Sequence, residues 1–345
     1  MAQHDLSDRE RKVLEAVIQS YVDRAEPAGS RTIAKKFPLG ISAATIRNTM
    51  SDLEDRGYLY HPHASAGRVP TDRAYRVYVD GLIAPGPVSK QQQLQLDRKL
   101  LEGHTAIESI LVRAADALGV VTRELGVASS PPLDSAVLER LELIIVSSEK
   151  LLMVLVLKGT AARTIFVEVP NELPSEAIET VAHVLNERLT GLRLDEIRRS
   201  VKHRLRGAGD CATETELLNI FVEEAEQLFT VSGDSDVVMG SAQMLAGQPE
   251  FHSNEKMREL LQLTEKKDVL SNALRARSKT GLSITIGTEH TNPQLSEFTI
   301  VTTTYRHGTL SGVIGVMGPT RMPYDKVVSL VEYTSKLVEK LGKRQ

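Results

Sequence analysis

Within residues 41–60, ISAATIRNTMSDLEDRGYLY, an arginine and an asparagine stand side by side at Arg47 and Asn48, with Ser42, Ala44, Thr45 and Ser51 spaced around them. Short polar side chains and one guanidinium, with nothing bulky nearby, suit hydrogen bonding to the edges of base pairs. Other constellations are weaker. His61 and His63 would point the same way on a strand, but no third ligand accompanies them; surface or phosphate contact is the better reading, and no metal site is expected. Glu289-His290 is an acid–base pair without a nucleophile or third partner. Gly312, Gly315 and Gly318 recur at regular spacing on a strand with no helix start behind them, which implies close approach within a sheet rather than a phosphate loop. There is no Walker sequence, nucleophile elbow or HExxH. No catalytic, cofactor-binding or metal-ligating residue is assigned, and an enzyme is not expected.

Base-edge chemistry needs a helix to carry it. At helical spacing Ile46, Met50 and Leu53 fall on one side of this stretch, and Ala44, Arg47, Asn48 and Ser51 on the other. Ser42 suits the N-cap and Gly57 the position after the last turn. The plain alternative is a solvated polar face.

Upstream, Ser7 and Glu10 make a capping box, and Val13, Leu14, Val17, Ile18, Tyr21 and Val22 mark an amphipathic helix ending before Pro27. A short helix over 30–37 and the turn Pro38-Leu39-Gly40 complete a helix-turn-helix arrangement. Tyr58–His61 and Arg68–Pro70 read as two strands around a Pro, Ala, Ser and Gly loop, which is a wing, with Arg68 at its base placed for a phosphate.

Here a resemblance becomes specific. AATIRNTMSDLEDRGYL and HASAGRVPTDRAYRVYVDGL closely resemble the HrcA family of heat-inducible transcription repressors, and the late run GVIGVMGPTRMPYDKV resembles it too. The resemblance implies a repressor of chaperone operons that binds an inverted-repeat operator of the CIRCE type as a homodimer, with a GroEL-type chaperonin as modulator. Carried over residue by residue, Ser42, Ala44, Thr45, Arg47 and Asn48 would face the major groove. Arg31, Lys36, His63 and Arg68 would be backbone or wing contacts. Gly67 would let the wing turn. Thr71 would cap a helix whose Tyr75, Tyr78, Val79 and Leu82 pack back onto the head.

The remaining chain reads as α+β and multidomain. Residues 1–82 form the winged-helix DNA-binding domain. Residues 83–169 hold a linker at Ala84-Pro85-Gly86-Pro87, packing helices over about 91–101 and 107–121, and the first strands, over 138–146, 151–157 and 164–169. Residues 170–251 are mainly helical (175–189, 195–205, 214–229), with a capping box at Thr213 and Glu216. Residues 252–345 supply strands over 282–287, 298–305 and 309–317 and a last helix over about 323–341. Six strands and their helices suggest one antiparallel sheet interrupted by an insertion. The resemblance names these parts a GAF-like domain and an inserted dimerisation domain.

At 345 residues, with 41% hydrophobic and 25% charged, the composition is that of an ordinary soluble protein with room for two or three cores. Trp is absent and aromatics are 4%, so aliphatic side chains must fill those cores. One cysteine, Cys211, excludes an intramolecular disulfide and a cysteine-based zinc site, which fits a cytoplasmic location. No N-terminal signal pattern is evident, and the apolar run over 141–157 is broken by Glu142, Glu149 and Lys150, so no membrane partner is expected. Net charge is −3, but residues 28–51 carry four basic side chains (Arg31, Lys35, Lys36, Arg47) and no acid; local field decides phosphate binding. Two rivals remain: a regulator with the same head that senses a small molecule through its GAF-like domain, and an enzyme that merely carries a winged helix.

Overall fold

The computed structural model describes residues 6–63, 66–82, 86–102, 107–131, 136–158, 162–170, 173–209, 211–229, 237–277, 281–308 and 310–342. The chain forms two compact units. The first holds Met1–Ser129, Val237–Tyr305 and Val313–Leu341; the second holds Ser130–Asp236, Arg306–Gly312 and Gly342–Gln345.

The first unit begins with three helices, α1 (Asp8–Arg24), α2 (Ser30–Lys36) and α3 (Ala43–Asp55). The capping box is present at Ser7 and Glu10, and α1 ends on Ala25 in the left-handed region, φ 54°. A two-residue ribbon follows, β1 (Leu59–Tyr60) pairing antiparallel with β2 (Val69–Pro70) in the register Leu59↔Pro70 and Tyr60↔Val69. The hydroxyl of Thr71 accepts from the Ala74 amide and starts α4 (Asp72–Val77), which runs into one π-turn over Tyr78–Leu82. Next come α5 (Lys90–Leu101), capped by a Ser89–Gln92 box, and α6 (Ile107–Thr122). The linker expected at 84–87 lies partly outside the described residues, as does the side chain of Leu82.

The sheet of this unit starts at β3 (Leu125–Ser129), a strand the periodicity did not reveal. In the second unit come β4 (Leu138–Ser147), β5 (Lys150–Leu157), β6 (Arg163–Glu168), α7 (Ser175–Leu189), α8 (Leu194–Arg204), α9 (Ala212–Glu223) and α10 (Ala225–Leu228). The chain then returns with β7 (Val237–Met239), α11 (Gln243–Ala246), α12 (Asn254–Glu265), α13 (Lys267–Arg275), β8 (Ser283–Ile286), β9 (Phe298–His307), β10 (Leu310–Pro319) and α14 (Tyr324–Gly342).

The expected single six-stranded sheet is corrected. β4, β5 and β6 pair only with one another in a three-stranded sheet, while a five-stranded sheet has the order β7-β3-β10-β9-β8. Burial shows why the two differ. β10 is buried at nine of its ten positions, so both faces of the five-stranded sheet are covered at its centre. β5 alternates strictly between buried and less buried residues, so one face of its sheet is open. On that open face Ile144, Leu152 and Phe166 stand opposite one another across three strands, and Phe166 is 64% exposed. On the covered face Leu151, Met153 and Leu155 share a core with Val181, Leu185, Ile197, Val201 and Phe221 from the helices.

A second correction concerns α9. It begins at Ala212, with Cys211 two residues before Thr213 as an N-cap that makes no side-chain bond, and the Thr215 hydroxyl donates to the Cys211 carbonyl at 2.9 Å.

One continuous core in the first unit joins Leu14, Val17 and Ile18 of α1 and Ile46 and Leu53 of α3 to Tyr75, Ile110, Leu118, Val301, Ile314, Tyr324 and Val331. Tyr75 and Tyr78 fulfil the expected packing role, and both also meet the ring of Tyr324, at centroid distances of 5.8 and 6.5 Å. Two of the three glycines on β10, Gly315 and Gly318, are close-approach positions. A Cβ at Gly315 would lie 2.0 Å from the Val301 carbonyl, and one at Gly318 would lie 2.0 Å from the Glu124 carboxyl.

Candidate nucleic-acid interface

α3 is a helix with two unlike sides. Its N-cap Ser42 accepts from the Thr45 amide at 3.1 Å. Ile46, Met50 and Leu53 are buried as the spacing requires, and Thr49 joins them because its hydroxyl donates to the Thr45 carbonyl at 3.1 Å. Ala44, Arg47, Asn48 and Ser51 are all exposed. The side chains of Arg47 and Asn48 make no hydrogen bond or ion pair with the described residues. Their donors and acceptors are thus available to a ligand. Ser42 and Thr45 are less so: their hydroxyls bond each other at 2.9 Å, and Thr45 is half-buried.

The other proposed contacts divide. Arg31 is exposed on α2 and His63 is exposed in the bend after β1; Ala64 and Ser65 lie outside the described residues. Lys36 is tied to Asp23 at 2.6 Å and stands 5.2 Å from the ring centroid of Phe37. Arg68 turns inward. Its Nη2 lies 2.7 Å from Oε2 of Glu54, and its side chain is only 15% exposed. His61 meets the same carboxylate, with Nδ1 2.7 Å from Oε1. Glu54, which sequence reasoning missed, therefore holds both strands of the ribbon, at their loop end, to α3. An acid on a helix seven residues before a strand histidine carries no local signal that would have revealed it.

The ribbon is fixed at its base as well. Ala28 and Arg68 exchange both backbone hydrogen bonds at 2.8 and 2.9 Å. Gly67 is needed there for space rather than for a turn, since a Cβ would stand 2.5 Å from the Ala28 carbonyl. The Thr71 hydroxyl donates to the carbonyls of Gly57 and Tyr58, and the Arg73 guanidinium bonds the Arg56 carbonyl while covering the Tyr58 ring at 4.6 Å. Gly57 takes the expected left-handed conformation, φ +74°.

Charge is graded along α3. Its first half carries Arg47 and no acid, whereas Asp52 and Asp55 are exposed in its second half. The local field therefore favours an anion beside the N-terminal half of α3 over its second half.

Farther along this unit, Glu289 is engaged by Arg76 and by the Ile286 amide. Burial works to raise its carboxyl, but hydrogen bonds from Arg76 and from the Ile286 amide, the latter at 2.9 Å, outweigh that and hold it below its usual range. His290 is pushed down to about 4 by burial and by the Arg277 charge, so it is neutral near pH 7. Among the described residues no group of three or more His, Cys, Asp or Glu could hold a metal ion, and no helix is long and apolar enough to cross a membrane.

An exposed helix face with unengaged hydrogen-bonding side chains, set beside a fastened ribbon, has the form of a DNA-binding surface. Comparison with known proteins gives the family. The family model described as HrcA protein C terminal domain matches residues 108–328. A protein named heat-inducible transcription repressor HrcA from Chlorobium phaeobacteroides (strain BS1) is 41% identical, covering 96% of each chain. Proteins of the same name from Chlorobium phaeovibrioides and Prosthecochloris aestuarii are 40% identical over 96% of each chain and 39% identical over 95%. A crystal structure described as a hypothetical protein at 2.2 Å resolution shares the fold, with a TM-score of 0.61 at 22% identity over 99% of both chains. The chain belongs to the HrcA family of heat-inducible transcription repressors.

Proposed function

We propose that this repressor acts in the cytoplasm by occupying a CIRCE-type inverted-repeat operator as a homodimer, with the head formed by α1–α3 and the β1–β2 ribbon acting as a winged helix. α3 enters the major groove by its N-terminal half. Arg47 and Asn48 read base edges, Ala44 and Ser51 allow close approach, and Ser42 and Thr45 form the helix start that fits the groove. Arg31, Lys36 and His63 contact the sugar-phosphate backbone. Arg68 acts mainly by holding the ribbon to Glu54 and only secondarily through its own charge. The observation that carries this reading is the pair Arg47 and Asn48, whose side chains are exposed and without partners among the described residues.

Two heads are needed because one covers too little DNA for tight specific binding, whereas a two-fold dimer reads both arms of a palindrome. Dimerisation falls to the second unit, in which the helices over 175–228 of the segment 170–251 expected for this role share a core with the β4–β6 strands, whereas residues 237–251 belong to the first unit. The open face bearing Ile144, Leu152 and Phe166 supports this, since a contiguous apolar sheet face on a soluble protein marks an interaction site. The five-stranded sheet is the GAF-like part. A GroEL-type chaperonin would favour the operator-competent form by holding apolar surface that the free chain leaves open.

Footprinting on an inverted repeat and on each half-site alone is the direct test. Protection of both arms by the parent chain, with protection lost in a Phe166→Asp variant that sediments as a monomer, is expected. Equal binding to the repeat and to one half-site would contradict the dimeric reading.

A further inference from the structure

The five-stranded sheet ends at β8, and beside that edge strand and α13 lies a cleft of about 350 Å³. It is lined by Asn272 and Arg277, by Thr285 of β8, and by His290, Asn292 and Leu295. The volume is at the lower end of the range that binds small molecules.

The lining selects a kind of ligand. The Arg277 guanidinium is largely buried, donating from Nη2 to the Thr285 hydroxyl at 2.6 Å and from Nη1 to the Ala273 carbonyl. Burial disfavours its charge and lowers its pKa. An oxyanion beside it offsets that penalty, since an opposite charge favours the cation. His290 adds a neutral imidazole whose Nε2 is buried and makes no full hydrogen bond, with the Phe298 and Thr285 backbone close to the ring. Asn272 and Asn292 add amides, and Leu295 adds an apolar contact. The carboxylate at the rim, Glu289, is already engaged by Arg76 and the Ile286 amide and leaves little free negative charge. Cations are repelled by Arg277, and large nucleotides exceed the space.

The cleft shares a wall with the support of the DNA-binding head. Its residues His290 and Asn292 belong to the turn after β8. Two other residues of that turn grip α4: Thr288 donates from its amide and its hydroxyl to Asp72 at 2.9 and 3.0 Å, and Glu289 takes the Arg76 guanidinium, which also bonds the Ile284 carbonyl at 2.7 Å. α4 begins at Thr71, whose hydroxyl holds the Gly57 and Tyr58 carbonyls between α3 and the ribbon. A shift of the turn is therefore passed through two hydrogen-bonded groups to the element that sets the ribbon.

We propose that this cleft binds a small organic oxyanion with a short apolar body, and that its occupancy alters operator affinity through the turn 287–292 and α4. The second half of this proposal rests on the DNA-binding reading above.

The full chain is titrated by calorimetry with butanoate, succinate and inorganic phosphate, with butanamide as the neutral control. Saturable binding of at least one anion, and none of butanamide, is expected; phosphate alone among the three would place the ligand among phosphate esters, a carboxylate alone among organic acids. Arg277→Gln tests the guanidinium. Asn272→Asp, at an exposed position where the fold tolerates a charge, places a carboxylate against the ligand. Each is expected to weaken binding at least tenfold. No saturable binding by the parent chain, or binding unchanged in the folded Asn272→Asp variant, would overturn the site. Operator affinity is then measured with and without the anion that binds; a change of at least threefold, absent in Asn272→Asp, is expected. An anion that binds while operator affinity stays constant overturns the coupling. A chain that binds the anion but no operator in any condition refutes the DNA-binding reading and leaves the site standing.

Discussion

Replacing Arg76 by Met removes the cation that joins α4 to the turn after β8 while keeping much of the side-chain volume. In the parent chain Nε meets Oε1 of Glu289 at 2.7 Å, Nη2 meets Oε2 of the same carboxylate and the Ile284 carbonyl, and Nη1 meets Asp80 at 3.0 Å. The side chains of Arg76 and Glu289 are 26% and 33% exposed. Breaking a buried ion pair costs about 3–5 kcal/mol, whereas a surface pair contributes about 0–1 kcal/mol. Partial exposure and the competing Ile286 amide place Arg76→Met at about 2–3 kcal/mol. For a unit of this size that corresponds to a fall of roughly 4–12 °C in the transition of the first unit. Calorimetry reads the transition, and hydrogen exchange at the Ile286 and Thr288 amides, which bond Glu289 and Asp72, reads the local effect. The double variant Arg76→Met/Glu289→Gln should be less destabilised than the sum of the singles by more than about 1 kcal/mol, as expected for coupled neighbours. Strict additivity would show that the pair does not act as a unit.

Two further predictions follow from buried positions. Gly126→Ala drives a Cβ to within 1.8 Å of the Ala115 carbonyl on α6, so it should destabilise the first unit by more than about 3 kcal/mol, whereas Gly81→Ala meets nothing within 4 Å; parallel melts of the two variants decide this. Glu124 is buried, and burial holds its carboxyl well above the ordinary value of 4.5 despite a hydrogen bond from Gln248 at 2.9 Å and the Arg321 charge. The folded chain thus keeps a proton that the unfolded chain releases above about 4.5, and this contribution to stability is full below that pH and declines as pH rises toward the folded value. Glu124→Gln keeps an acceptor for Gln248 and removes the decline, so its stability relative to the parent should increase between pH 5 and 8. A loss of equal size at both pH values would contradict a protonated carboxyl.

Much of the head was legible because its determinants are local. The Ser7–Glu10 box, the Ile46/Met50/Leu53 spacing and the Ser42 cap each lie within one helix and act there. The last helix was legible for the same reason. What stayed hidden depends on partners distant in sequence. Arg68 is a basic residue at a strand start, and only the fold reveals that Glu54 has claimed it. β3 and β7 are five and three residues long, too short to show a period. The division of strands between two sheets followed from pairing, which apolar runs do not encode: β4 and β5 form a hairpin in sequence and keep to it, whereas β3 finds β10 across the whole second unit. The Thr213–Glu216 pattern misled because helix α9 started earlier, with Cys211 as its N-cap.

The central claim is that Arg47 and Asn48 on α3 read bases. Its most direct test is the ratio of affinities for an inverted-repeat operator and a scrambled duplex of equal length at one fixed salt concentration. Each bidentate contact accounts for about 1–3 kcal/mol of discrimination, so Arg47→Ala and Asn48→Ala should each lower that ratio about fivefold or more. Arg31→Ala should weaken both duplexes together and leave the ratio unchanged. A ratio that survives both α3 substitutions would contradict the account.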